Sequence, residues 1–101
     1  METIELNHLN SALRLSGSEK RRGITIETIT VKKWPEAGEN LKLLIIDEKE
    51  ITIYSQPFSA AQREEEQKIV IHKTFNFYDH LTVKVEAESG DSPFAVEVAF
   101  E

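Results

Sequence analysis

The sequence predicts an all-β domain: an antiparallel two-sheet β-sandwich of seven or eight strands spanning residues 1–101, with at most a short helical turn near residues 59–66. Three observations carry the prediction. Residues 68–101 hold three runs of alternating apolar residues: Ile69, Ile71, Phe75 and Phe77; then Leu81, Val83, Val85 and Ala87; then Phe94, Val96, Val98 and Phe100. A strand turns successive side chains to opposite faces, so each run offers one apolar and one polar face. The four glycines and three prolines all fall at or near the predicted turns. Apolar faces of this kind need a second layer to cover them, and the first two thirds of the chain must supply it.

Taken in order, Thr3–Leu6 and Ala12–Ser16 are short alternations, each suited to a sheet edge, with Asn7, His8 and Asn10 in the turn between them. Gly17 to Gly23 reads GSEKRRG, a polar loop. Its Lys20, Arg21 and Arg22 form the one concentrated basic patch, which is either a contact for an anion or partner or a solvated loop. Ile24–Lys33 is a strand with a fault: Ile24 and Ile26 share one parity, Ile29 and Val31 the other. A bulge near Glu27-Thr28 would return all four to one face; alternatively the strand crosses there between sheets. Trp34–Asn40 ends the strand, because Pro35 lacks an N–H and Gly38 permits positive φ.

Leu41–Ile46 and Ile51–Ser55 read as a hairpin about Asp47–Glu50. The run Leu43-Leu44-Ile45-Ile46 is apolar on both faces, which points to a central strand or one covered on both sides. Gln56–Gln67 reads as irregular; Ser59 with Gln62 three residues later fits a capping box, giving one or two helical turns in a crossover between sheets. Tyr78–His80 turns the chain into a strand over 81–88. Glu88–Pro93 makes the last turn, with Pro93 as first residue of the final strand, where proline is tolerated.

Composition limits the function classes. A chain of 101 residues has room for one domain. Cysteine is absent, which excludes a disulfide framework and a cysteine-based zinc site. With no signal peptide at the start, a cytoplasmic, reducing setting is the expectation for a complete chain. No apolar run approaches the ~18 residues of a membrane span. The net charge of −6 is uneven: six Lys/Arg against four Asp/Glu up to residue 33, and six against fourteen beyond it. An acidic balance argues against nucleic acid as a partner, since nonspecific binding relies on neutralising phosphates.

The strand ending at Trp34-Pro35, the Gly38-Glu39 that opens Leu41–Ile46, and the closing pair with Thr82-Val83-Lys84-Val85-Glu86-Ala87 resemble the immunoglobulin-like and fibronectin-III-like β-sandwiches of bacterial and viral proteins. The resemblance covers residues 24–100 and implies an immunoglobulin-like two-sheet sandwich. It departs from true immunoglobulin domains in lacking the Cys…Trp…Cys arrangement. Another eight-stranded sandwich fits the strand spacing nearly as well, and the fold alone fixes no function.

Chemistry leaves faint traces. No cysteine nucleophile and no Gly-x-Ser-x-Gly elbow exists. His72 falls on the polar face of its strand and His80 at a turn, and no spacing rule joins them. Asp47-Glu48, Asp79 and Asp91 sit at turns and could converge on calcium, although turns favour Asp for its own hydrogen bonds. The expectation is therefore a noncatalytic protein-interaction or assembly module without cofactor or metal. Its partner is another protein or a second copy of itself. Trp34 and Phe58 are the candidate aromatic anchors and Lys20, Arg21 and Arg22 the candidate basic contact. The alternative is a ligand-binding sandwich for carbohydrate or for calcium-dependent membrane contact.

Overall fold

The alternation written in the last third of the chain becomes structure residue by residue. In the computed structural model, which describes residues 2–16, 23–35, 40–58, 67–77, 79–88 and 93–101, every second residue of His80–Ala87 is buried: Leu81, Val83, Val85 and Ala87. Eight strands are described: β1 (Glu2–Asn7), β2 (Ala12–Ser16), β3 (Gly23–Lys33), β4 (Leu41–Ile46), β5 (Thr52–Phe58), β6 (Gln67–Asn76), β7 (His80–Ala87) and β8 (Ala95–Phe100). They form two four-stranded antiparallel sheets, β1-β8-β3-β6 and β2-β7-β4-β5. This is the expected two-sheet sandwich. The expected helical turn near 59–66 lies outside the described residues.

The pairings nest about one turn. β4 pairs with β5 across Asp47–Glu50, β3 with β6, β2 with β7 and β1 with β8. The chain is thus one long antiparallel ribbon, rolled so that successive pairs fall in alternate sheets; β4–β7 and β3–β8 contacts then seal the roll. This is the double Greek-key, jelly-roll plan of an eight-stranded sandwich. The resemblance read from the sequence holds at the level of the antiparallel sandwich. Its strand order is not the ABED and CFG arrangement of an immunoglobulin constant domain, because β1 and β2 sit in different sheets.

Register aligns the apolar residues into rows across each sheet. In one sheet Ile4, Val98, Ile29 and Ile69 stand side by side; in the other, Leu13, Val83, Ile45 and Tyr54 do. These rows face each other as the core, where Ile26, Ile29, Val31, Leu41, Leu43, Ile45, Leu81, Val83, Val85 and Val98 have no solvent exposure. A one-residue slip would turn a whole row outward, so the core itself fixes the register.

The fault in β3 is a bulge, not a crossing between sheets. Against β8, Ile26 pairs with Phe100 and Thr28 with Ala99, so Glu27 is the extra residue of β3; against β6, Ile26 pairs with Lys73 and Thr28 with Val70, so β6 has an extra residue of its own at Ile71-His72. The shift brings Ile24 and Ile26 onto the same buried face as Ile29 and Val31. His72 takes φ of 46°, the left-handed conformation that such an irregularity uses and that few non-glycine residues adopt.

Two boundaries differ from the sequence reading. Gln56, Pro57 and Phe58, expected to be irregular, continue β5 to its pairing with Leu41. Pro57 is tolerated because β5 is an edge strand. Pro93 precedes β8 rather than opening it. Lys73 stands opposite buried Ile26 and remains exposed at the sheet edge.

Candidate interaction surface

A sandwich has two outer faces and two flanks, and the topology assigns residues to each. β1 and β2 form one flank; β5 and β6 form the other, joined across the sheets by Tyr54 and Phe75, whose rings meet edge to face with centroids 5.3 Å apart. An edge strand leaves backbone groups unpaired and invites another chain to add to it.

The β5/β6 flank is guarded against that. The Val85 N–H donates to the Ser11 carbonyl at 2.9 Å. Bonding direction alternates along a strand. Val83 and Val85 therefore bond toward β2, while Thr82, Lys84 and Glu86 bond toward β4. Carried across β4, the alternation leaves Tyr54, Gln56 and Phe58 bonded to β4 and turns the backbone of Ser55 and Pro57 to the open edge. Proline stands where a free N–H would otherwise await a partner strand. Ile53 adds a bulge, since Ile45 pairs with Tyr54 but Ile46 with Thr52. On β6 the bulge at Ile71-His72 and the exposed Lys68 and Lys73 do the same work. At the other flank, β1 and β2 pair without irregularity. There the Asn7 backbone is closed on Asn10 by two bonds of 3.1 Å, and the Asn7 Oδ1 accepts from the N–H groups of Leu9 and Asn10.

The outer face of the β2-β7-β4-β5 sheet sets apolar residues among charged ones, with Leu44 beside Lys84 and Lys42 beside Glu86. β4 is central, as its doubly apolar run suggested, with Leu43 and Ile45 in the core. Leu44 and Ile46 alternate to the opposite face, where they stay half-buried among the side chains of neighbouring strands. In the same hairpin Ile51, opposite Asp47, and Ile53, at the bulge of β5, are 56% and 45% exposed. The hairpin that carries these residues is built by Asp47: its Oδ1 accepts from the N–H groups of Lys49 and Ile51, both at 2.9 Å. Glu50 completes the turn at φ of 62°. An exposed cluster of large aliphatic residues on a folded domain marks a contact surface more readily than scattered single ones.

Of the residues singled out from sequence, Trp34 and Phe58 fall elsewhere. Trp34 and Phe58 are brought together at one end of the core, edge to face, with ring centroids 6.2 Å apart. Phe58 is only 7% exposed and Trp34 half-buried against the core cluster, so as placed they offer a partner little surface. The Trp34 Nε1 is buried with no acceptor among the described residues. Lys20, Arg21 and Arg22 lie outside the described residues. Sequence reasoning did not single out Ile51 and Ile53; the available signal was a β-rich apolar pair on a strand that the hairpin reading already placed next to a doubly apolar one.

The groups weighed for chemistry stay apart. His72 Nδ1 lies 3.1 Å from Glu27 Oε2, and His80 Nδ1 lies 2.8 Å from Asp79 Oδ2, in different sheets. Among the described residues no group of three or more His, Asp or Glu is placed to hold a metal ion. The Asp47 carboxylate is engaged in its turn, and Asp91 lies outside the described residues. A shallow groove of about 240 Å³ is lined by His8, Ser11, Lys84, Glu86 and Phe94. All described aromatic residues are buried or half-buried. Among the described residues no helix is long and apolar enough to cross a membrane.

No family model and no curated protein matches this sequence. Among solved structures, the chain is similar to the core of the Drosophila protein NLP, described in terms of pentamer formation and histone binding: 12% identity over 99% of this chain and 92% of that one, with a TM-score of 0.68. It also aligns with the lectin domain of lectinolysin in complex with Lewis B antigen, at 14% identity over 96% of this chain and 70% of that one, with a TM-score of 0.49. A third alignment is with latent PorU from Porphyromonas gingivalis, at 18% identity and a TM-score of 0.46, over 88% of this chain and 10% of that one. At these identities the first likeness establishes the shared fold, an eight-stranded two-sheet sandwich matched over nearly the whole of both chains.

Proposed function

We propose that this protein is a noncatalytic assembly module that works by binding protein through the outer face of its β2-β7-β4-β5 sheet. The observation that carries the reading is that Leu44 and Ile46 on the outer face of β4 are half-buried and Ile51 and Ile53 of the same hairpin are exposed, all four lying outside the core. Burying such residues against a partner removes apolar area from water at about 25 cal/mol per Å². The flank nearest this face is blunted by Pro57 and two bulges, which favours association by faces over strand addition. The likeness to NLP adds support of a general kind, since that protein's core is described in terms of pentamer formation and histone binding.

The test is the mass in solution by light scattering behind a sizing column, at micromolar and at sub-millimolar protein. A defined oligomer is the expected result. A monomer at both concentrations that also fails to protect Ile51 and Ile53 amides from exchange in the presence of cell extract would remove the reading.

A further inference from the structure

We infer that the open edge of β1 is a separate association site, where a second copy of the chain adds its own β1 antiparallel, about a two-fold axis through Ile4. The inference does not depend on the outer-face reading. It concerns the flank whose strands pair without irregularity. The Thr25 and Glu101 backbones exchange bonds of 2.8 and 2.9 Å, so Glu101 bonds toward β3. Bonding direction alternates along a strand. Phe100, Val98 and Val96 therefore bond toward β1, where the register sets them opposite Glu2, Ile4 and Leu6. That turns the N–H and C=O groups of Thr3, Glu5 and Asn7 to the open edge. The Asn7 backbone is directed there, and is closed on Asn10. Those of Thr3 and Glu5 have no partner among the described residues.

Register selects the occupant. In antiparallel pairing about Ile4, Thr3 of each copy stands opposite Glu5 of the other, and each such pair exchanges both of its main-chain bonds. Every unpaired backbone group of Thr3 and Glu5 is satisfied at once. Ile4 meets its own counterpart, so the buried row Ile4, Val98, Ile29 and Ile69 runs on into the same row of the second copy. Half-buried Ile4 gains cover on its open side. The neighbouring registers fail. A slip of one residue sets core residues opposite outer ones. Centring on Glu5 puts like charges directly opposite, which is destabilising, and calls on the Asn7 backbone that is already bonded. Centring on Thr3 carries Glu5 past the first residue of the other β1. Charge agrees with the register about Ile4. Glu5 already lies beside Glu97 within the chain, so a neutral neighbour on its other side is favoured. Thr3 is neutral, and its hydroxyl can donate to the Glu5 carboxylate of the other copy. The contact is isologous and closes as a dimer.

The chain has no cysteine, so one introduced thiol reports the geometry. On the axis, Ile4 and its counterpart form a non-hydrogen-bonded pair with Cα atoms about 4.5 Å apart, within the range a disulfide spans. Ile4→Cys is expected to cross-link into a covalent dimer under mild oxidation about tenfold faster than Thr3→Cys or Glu5→Cys, whose counterparts are diagonal neighbours roughly 7–8 Å away. Random collision would favour the more exposed thiols at positions 3 and 5 instead. Sedimentation velocity on Glu5→Pro, whose lost N–H points to the open edge, is expected to show association weakened by about tenfold or more. A thermal melt of each variant confirms folding. Adding Ile46→Asp, on the outer face, is expected to leave cross-linking at position 4 unchanged. Preferential cross-linking at position 4 with the loss in Glu5→Pro establishes the edge pair. Cross-linking at positions 3 or 5 as fast as at 4, or association unmoved by Glu5→Pro, overturns it. Association lost with Ile46→Asp alone assigns self-assembly to the outer face and overturns the edge pair. A wild-type chain that stays monomeric at sub-millimolar concentration overturns it too, and leaves the outer face available to another protein.

Discussion

Adjacent residues of β4 should differ sharply in what they contribute to stability. Ile45 has no solvent exposure, stands between Val83 and Tyr54, and faces the opposite sheet. Ile46, one residue on, lies half-buried on the outer face between Thr82 and Thr52. Ile45→Ala removes three buried carbons. Their transfer alone is worth about 2.4 kcal/mol at roughly 0.8 kcal/mol per CH₂. The cavity left in a core whose neighbours are held by two sheets adds to this, for a total of about 3–4 kcal/mol. A domain of this size loses about 4–8 °C of melting temperature per kcal/mol, so Ile45→Ala should melt at least ~12 °C lower. Ile46→Ala at the same dilute concentration should cost about 1 kcal/mol or less, because half of what it buries is partial contact at a sheet surface. Urea unfolding followed by Trp34 fluorescence measures both, with the slope m unchanged if only the folded state is affected. Equal costs for the two variants in dilute solution would refute the register, and with it the assignment of Leu44 and Ile46 to an outer face. A cost for Ile46→Ala that grows with protein concentration would instead report the association surface.

Three further outcomes follow from local geometry. Asp47→Ala removes an acceptor for two backbone N–H groups of the hairpin and should cost about 1–2 kcal/mol in chemical denaturation, with Asp47→Asn recovering most of it. Glu50→Gly relieves a residue held at φ of 62° and should leave stability unchanged or raise it by up to about 1 kcal/mol; a loss above that would mean the turn is not left-handed there. Pro57→Thr should leave the melting temperature within about 2 °C, since the restored N–H points to the open edge, yet it should raise the rate of aggregation seen by light scattering.

The sequence by itself determined the apolar rows of β7 and β8. Alternation over 81–87 and 94–100 placed the buried residues of β7 and β8 one by one. The broken parity of Ile24, Ile26, Ile29 and Val31 located the fault in β3, because a period of two is rigid, and left a bulge or a crossing between sheets as its two explanations. The hairpin about Asp47–Glu50 and the turn at Asn7–Asn10 were legible for a similar reason: their bonds run between residues within four positions of each other.

What only the tertiary structure decided is everything that depends on which strands are neighbours. Pairings such as β1 with β8 and β2 with β7 span most of the chain, and no local pattern records them. The strand order therefore came out as a rolled ribbon and not in the immunoglobulin arrangement. Gln56–Phe58 read as irregular because Pro57 cannot donate within a sheet, and only the knowledge that β5 lies at an edge makes proline admissible there. Trp34 and Phe58 looked like anchors because aromatics beside prolines and turns often stand free; here two loops' ends meet, and each ring covers the other against the core. The aliphatic cluster on the outer face came to light by the same route. Leu44 and Ile46 are indistinguishable from Leu43 and Ile45 in composition, and it is the packing of one sheet on the other that commits one pair to the core and turns the other to the outer face.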